Sequence, residues 1–113
     1  MYDAIIVGAR AAGSPTAMLL ARQGHSVLLV DRATFPSDTF STHFVHGSGT
    51  ALLERWGARE PLEARGVPFF DHVLLNVNGN VMSTKDLFGP RSVCSPRRTD
   101  LDFVLCELAS AAG

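Results

Sequence analysis

The 113-residue sequence has little of what marks several common classes of protein. Its formal net charge is −1, with 10 basic against 11 acidic side chains, so it lacks the basic excess that binding to nucleic acid or an anionic membrane requires. Its apolar runs are too short to span a bilayer, and its N-terminus lacks the basic n-region of a signal peptide. These absences favour an ordinary cytoplasmic domain that neither binds nucleic acid nor inserts stably into a membrane.

Ligand clusters and nucleophile motifs are also missing. The two cysteines, Cys94 and Cys106, form no Cys-x-x-Cys pair, which predicts free thiols in a reducing compartment. No set of His, Cys and carboxylate side chains has metal-ligand spacing, so no metal site is predicted. Ser41 and His43 lack a nucleophile elbow and an orienting acid, which excludes a catalytic triad. No catalytic residue can be named.

The first third of the sequence fits an extended dinucleotide-binding fingerprint. An apolar run at 5–7 ends at Gly8, Gly13 follows, and a second apolar run at 27–30 ends at Asp31. Gly8 permits a sharp turn after the strand, and Gly13 lets a helix lie close to the sheet. Asp31 follows Gly8 by 23 residues, where a carboxylate can accept hydrogen bonds from ribose hydroxyls. The pattern predicts a strand, turn, helix and strand that bind an adenine dinucleotide.

One position departs from the fingerprint, because Arg10 stands where the middle glycine is expected. That glycine lets the backbone approach the pyrophosphate without a Cβ in the way. Two interpretations of Arg10 carry equal weight: its guanidinium pairs with phosphate oxygens, or it is a solvated side chain on a turn.

Periodicity and turn residues predict the remaining elements. Strands are predicted at 2–7, 26–30 and 93–95, helices at 11–23, 46–56, 60–65 and from Thr99 onward, a hairpin of 72–77 with 81–83, and loops at 32–42 and 89–92. Leu52, Leu53 and Trp56 are expected to share the core face of their helix. Thr99 is predicted to be an N-cap, with Asp102 three residues on in a capping-box-like arrangement.

The last helix has the pattern of a crossover, whose apolar face needs a further parallel strand. The prediction is therefore an α/β, Rossmann-type βαβ unit with an inserted helix and β-hairpin. Residues 1–113 are expected to be the N-terminal portion of a larger FAD/NAD(P)-binding domain, with the remainder of the parent chain as its partner.

Four features together resemble the flavoprotein oxidoreductases of the aromatic-hydroxylase (FAD-binding monooxygenase) and geranylgeranyl-reductase group. The fingerprint lies at the N-terminus and ends in Asp31-Arg32. A loop at 35–39 with Ser41-Thr42-His43 follows. The helix with Leu53-x-x-Trp56-Gly57 comes next, and the last helix begins with Arg98-x-x-Leu101-Asp102.

The resemblance implies a set of cofactor-binding positions: Gly8, Ala12, Gly13, Asp31, Arg32, Ser41, Thr42, His43 and Arg98. By this resemblance the first three line the FAD pyrophosphate at a helix N-terminus. Asp31 holds the adenosine ribose, and Arg32 lies beside the adenine. The segment 41–43 approaches the flavin, and Arg98 reaches the cofactor from the start of the last helix.

The resemblance implies an FAD-dependent oxidoreductase, a monooxygenase or reductase that uses NAD(P)H and a small organic substrate. An NAD-dependent dehydrogenase domain is one alternative. NAD domains usually continue into another βα unit after this position. Here Asp31 is followed instead by a Ser/Thr-rich loop, a helix and a hairpin, which disfavours the NAD-dependent dehydrogenase. A non-catalytic nucleotide-binding fragment is a further alternative, and residues 1–113 alone are expected to be inactive and to bind FAD weakly.

Overall fold

The computed structural model describes residues 1–83 and 92–113. Its elements, in chain order, are β1 (Ala4–Val7), α1 (Gly13–Arg22), β2 (Val27–Val30), α2 (Gly47–Trp56), α3 (Arg59–Ala64), β3 (Phe69–Phe70), β4 (Leu74–Val77), β5 (Asn80–Ser83), β6 (Val93–Cys94) and α4 (Arg98–Ser110). They form two compact units, one of residues 1–41 with 97–113 and one of residues 42–96. Of the predicted loop 89–92, residues 89–91 lie outside the described part of the chain.

The first unit contains the βαβ arrangement that the fingerprint predicts. Strands β1 and β2 pair in parallel, with Ala4 opposite Val27 and Val7 opposite Val30. Helix α1 connects them and ends before Gly24, whose φ of 90° is left-handed. Glycine adopts that conformation without a Cβ penalty, which is why it terminates helices. The predicted parallel βαβ unit is confirmed.

Helix α4 packs against α1 within the first unit. Met18 of α1 is fully buried, and Leu105 of α4 is 2% exposed. Burying such side chains stabilises a fold by roughly 1.5–3 kcal/mol each. Val104 and Ala109 of α4 are buried with them, so the apolar face of α4 holds it against α1.

The second unit combines two helices with short antiparallel pairs. Strand β3 pairs with β6, and β4 pairs with β5 in a hairpin. Asn78 and Gly79 at the hairpin turn both have positive φ values, 51° and 84°, as a two-residue turn of this kind requires. The hairpin is therefore confirmed, and a strand predicted at 93–95 is present as β6, whereas β3 was not predicted from sequence.

Two predictions of helix detail are wrong. Leu53 is buried but Leu52 is 44% exposed, because successive residues of an α-helix point about 100° apart and cannot share a narrow face. Thr99 is not an N-cap, since α4 begins at Arg98 after Arg97 and no side chain caps it. Asp102 makes no capping box and instead pairs with two arginines.

Both cysteines are free thiols. Burial raises the pKa of Cys94 to about 11, although the nearby charge of Arg59 opposes the shift. Within residues 1–83 and 92–113, every helix falls short of the length and apolarity needed to cross a membrane.

Candidate functional site

The turn between β1 and α1 presents backbone N–H groups at a helix N-terminus. Gly8 makes the bend with a φ of 107°, and its own N–H donates to the carbonyl of Val30 at 2.7 Å. In the described part of the chain, the first α1 amide with a backbone acceptor is Ser14, which donates to the carbonyl of Arg10 at 3.0 Å. Ala12 makes no side-chain cap, and the first turn holds no acidic residue. The helix start is therefore suited to bind an anion.

Gly13 is required because α1 lies directly against the turn. A Cβ on Gly13 would stand 1.7 Å from the carbonyl oxygen of Gly8 and 3.2 Å from the Cγ2 atom of Ile6. The buried Ser14 hydroxyl donates to the carbonyl of Ala9 at 2.9 Å and holds the same turn to the helix. The close approach inferred from the fingerprint is thus present at Gly13.

Asp31 lies at the turn, where the fingerprint places its carboxylate. Oδ1 accepts the N–H of Ala33 at 2.7 Å, and Oδ2 accepts the N–H of Ala9 at 2.8 Å. These two hydrogen bonds, that from Ala33 first, lower the pKa of Asp31 below its ordinary value. The charges of Arg10 and Arg32 lower that pKa further. Asp31 is therefore an anionic acceptor beside the amides that open α1.

A cavity of about 290 Å³ brings together several of the predicted site residues. It is lined by Val7, Gly8, Arg10, Asp31, Arg32 and Thr39. It contains the bend of the turn, the carboxylate proposed for ribose, and two arginines. This composition suits a ligand that carries hydroxyl groups and negative charge.

The side chain of Arg10 is not the solvated side chain on a turn that one of the two interpretations from sequence expected. Its Nη1 donates to Oδ2 of Asp102 at 2.7 Å and to the carbonyl of Ser37 at 3.2 Å. Its Nη2 donates to Oγ of Ser37 at 3.1 Å, and the guanidinium lies 5.2 Å from the centre of the Phe35 ring. The guanidinium thus contacts α4 and the segment of residues 33–41 that follows β2, called here the 33–41 loop. The spacing of residues in the sequence does not predict these contacts.

Arg98 belongs to the same network. Its Nε donates to Oδ1 of Asp102 at 2.9 Å, an i, i+4 ion pair on α4. The Asp102 side chain is fully buried, while those of Arg10 and Arg98 are 27% and 18% exposed. The sequence pointed to Arg98 as a site residue but placed Asp102 in a capping box, so the pairing of Asp102 with Arg10 and Arg98 was not predicted.

The segment 41–43 lies at the boundary between the two compact units. Ser41 is the last residue of the first unit, and Thr42 and His43 begin the second. His43 has a positive φ of 54°, which is uncommon for a residue with a Cβ. The predicted approach of this segment to the flavin stays a prediction.

Comparisons with known proteins give a family model, a relative in sequence and relatives in structure. A family model described as an FAD binding domain matches residues 1–113. The tryptophan 2-halogenase of Chondromyces crocatus is 40% identical over 62 residues, which are 55% of this chain and 12% of the halogenase. The flavin-dependent brominase Bmp2 is similar in structure, with a TM-score of 0.82 and 24% identity over 99% of this chain. The p-nitrophenol 4-monooxygenase PnpA of Pseudomonas putida DLL-E4 has a TM-score of 0.76 and 16% identity over 99%.

The chain spans only a part of each relative, 28% of the brominase and 30% of the p-nitrophenol monooxygenase. The two structural likenesses show the fold, and the family model covers the whole chain. Together they confirm the α/β, Rossmann-type fold class and the resemblance to FAD-dependent monooxygenases. The chain belongs to the FAD binding domain family.

Proposed function

We propose that the chain is the FAD-binding part of a flavin-dependent oxidoreductase that uses NAD(P)H and acts on a small organic substrate. The observation that carries the proposal is the ionised carboxylate of Asp31, 2.8 Å from the amide nitrogen of Ala9 in the turn that opens α1. Membership in the FAD binding domain family supports FAD as the dinucleotide. Relatives named for tryptophan and p-nitrophenol support an aromatic substrate and favour halogenation or monooxygenation over reduction of a double bond.

The residues fit the adenosine diphosphate half of this cofactor. The amides at Ala12 and Gly13 open a helix without a side-chain cap or a first-turn carboxylate, so a pyrophosphate meets donors and no like charge. The bend at Gly8 gives the backbone access to that pyrophosphate. Asp31 has two oxygens with about four acceptor sites, two of which are used by backbone amides. The others can accept ribose hydroxyls.

The remaining roles follow the family pattern. Arg32 lines the cavity that holds Asp31 and is proposed to lie beside the adenine. Arg98 is proposed to reach the cofactor from the start of α4, and the segment 41–43 to approach the flavin. The redox chemistry is that of FAD, so the chain's own residues need only bind and orient the cofactor, and none of them is required as an acid or base.

Identification of the cofactor released from the purified protein tests the proposal. Chromatography after denaturation of the full-length parent is expected to recover FAD, and titration of the parent with NAD is expected to show weaker binding. Asp31→Ala is expected to weaken ADP binding by about ten- to a hundredfold, the worth of hydrogen bonds to a charged acceptor. Glu107→Gln removes an equal charge from the exposed surface of α4 and is expected to leave ADP binding unchanged.

An absence of flavin together with tight NAD binding would favour the NAD-dependent dehydrogenase. Binding of neither nucleotide would favour the non-catalytic fragment. Either result would overturn the assignment to a flavin enzyme.

A further inference from the structure

Arg10 occupies the position that the fingerprint gives to glycine, and the contacts of its side chain are not explained by cofactor binding alone. Nη1 donates to the Asp102 carboxylate at 2.7 Å and to the carbonyl of Ser37 at 3.2 Å. Nη2 donates to the Ser37 hydroxyl at 3.1 Å, and the Phe35 ring lies 5.2 Å from the guanidinium carbon. These four contacts direct the side chain to the 33–41 loop and α4.

Asp102 is the buried residue that both arginines, Arg10 and Arg98, contact. Its side chain has no exposed surface, and each carboxylate oxygen is paired with one arginine, Oδ2 with Arg10 and Oδ1 with Arg98. A buried carboxylate is costly unless it is paired and hydrogen-bonded. The two pairings therefore hold Asp102 in one place, and Asp102 in turn holds Arg10.

A side chain in the middle of the phosphate turn stands in the way of the pyrophosphate unless it is directed elsewhere. We propose that Asp102 is a positioning residue for the dinucleotide site. The ion pair with Asp102 holds the Arg10 side chain beside Ser37. The backbone amides before Gly13 then remain accessible to the pyrophosphate. This inference rests on the proposed function and deepens it, because it explains how an arginine is tolerated in the phosphate turn.

Titrations with ADP and with adenosine separate this role from a general loss of structure. Asp102→Asn is expected to weaken ADP binding by about tenfold and to leave adenosine binding within about twofold, since only ADP carries the pyrophosphate. Adding Arg10→Gly to this variant is expected to restore ADP binding, because no side chain is left to obstruct the turn. Glu107→Gln is the control for loss of one negative charge on α4.

A second variant keeps the test usable if Asp102→Asn does not fold. Ser37→Ala removes one acceptor of Arg10 and leaves the buried carboxylate and both arginines in place. It is expected to weaken ADP binding by about threefold with adenosine unchanged, and Arg10→Gly is expected to reverse this loss too.

Equal losses of ADP and adenosine binding would overturn the inference, as would a loss that persists after Arg10→Gly is added. A purely structural role predicts that result, because removing a second partner of Asp102 deepens a structural defect. If the unaltered protein bound ADP no better than adenosine, the proposed function itself would fail, and that outcome is visible before any variant is made.

Discussion

The chemistry of the candidate site depends on a few side chains held by backbone groups. Asp31 is the clearest case, because amides from Ala33 and Ala9 bind its two oxygens. The same hydrogen bonds that lower its pKa fix the direction of its carboxylate toward the turn. A group of this kind stays ionised at neutral pH and is oriented before a ligand arrives.

The lowered pKa of Asp31 predicts a specific pH dependence of stability. Because the pKa in the folded chain lies below the ordinary value of 3.8, the charged carboxylate stabilises the fold above that value, and this contribution is lost as the pH falls through the folded-state pKa. The melting temperature of the unaltered protein is expected to exceed that of Asp31→Asn by a constant margin from pH 8 to about pH 5. The margin should shrink below pH 3.8. A margin that grows on acidification would contradict the assigned hydrogen bonds.

Buried and exposed ion pairs are predicted to differ in their contribution to stability. Asp102→Ala leaves two arginines near a buried site and is expected to lower the free energy of unfolding by about 3–5 kcal/mol. Arg97→Ala breaks the exposed pair with Asp38, which has the same 2.7 Å separation as that between Arg10 and Asp102, and should cost about 1 kcal/mol or less. Urea denaturation measures both. Similar losses of unfolding free energy in the two variants would show that the burial of Asp102 does not increase the contribution of its ion pairs to stability.

Cys94 is predicted to be unreactive in the folded protein. It is fully buried, and desolvation raises its pKa to about 11, so roughly one thiol in a thousand is a thiolate at pH 8. Alkylation followed by mass spectrometry is expected to modify Cys94 only after denaturation. Cys106 is part-exposed but also has a raised pKa through burial, and it is expected to react slowly. Rapid labelling of native Cys94 would contradict its burial.

At the scale of elements, the site is formed by the contact of α1 with the end of β1. Gly13 permits that contact, since any Cβ there would overlap the carbonyl of Gly8. Gly24 has a different role, because a Cβ there would meet nothing within 4 Å but the φ of 90° is left-handed. One glycine is required by space and the other by backbone conformation.

This difference predicts unequal effects of two alanine substitutions. Gly13→Ala is expected to lower the free energy of unfolding by at least about 3 kcal/mol, because backbone cannot move aside as a side chain can. Gly24→Ala should cost about 1–2 kcal/mol, the strain of a left-handed residue with a Cβ. Urea denaturation followed by circular dichroism gives both values. A milder effect at Gly13 than at Gly24 would mean that α1 does not lie against the turn.

The elements that sequence predicts well are those with a repeating pattern. Strands β1 and β2 have continuous apolar runs, and α1 and α4 have helical spacing, so their existence and order were predictable. The N-cap of α4 was not, because Thr99 satisfies the local capping pattern while Asp102 pairs with Arg10, a residue 92 positions away. A local sequence pattern cannot predict an ion pair between residues that are far apart in the sequence. For the same reason, the fingerprint located Asp31 but gave no sign of the cluster around Arg10.

At the scale of the whole chain, the first unit leaves apolar surface uncovered. Ile5 and Val7 on β1 are 65% and 83% exposed, although strands of parallel sheets are usually covered on both faces. A cavity of about 380 Å³ is lined by consecutive residues of β2, 27–29, and by residues of α4 including Ala109. Successive side chains of a strand point to opposite faces, so a cavity that touches three in a row lies along the strand edge.

The uncovered β1 face predicts self-association of the 113-residue chain. Light scattering coupled to size exclusion is expected to detect oligomers, and Ile5→Lys is expected to reduce them without lowering the melting temperature, because charge opposes apolar contact on an exposed face. Ile6→Lys is the matched comparison, since Ile6 lies near Gly13, and it should destabilise the fold. A monomeric chain with stoichiometric FAD would contradict this expectation.

We expect an adenine dinucleotide to bind at the turn that opens α1, with the Asp31 carboxylate holding its ribose. Titration of the isotope-labelled protein with ADP, followed by backbone amide NMR, tests it most directly. The largest shift changes are expected at residues 9–13 and 31–33, and they should disappear in Asp31→Ala. Shift changes confined to the β4–β5 hairpin or the α2–α3 region, with the turn unaffected, would contradict the claim.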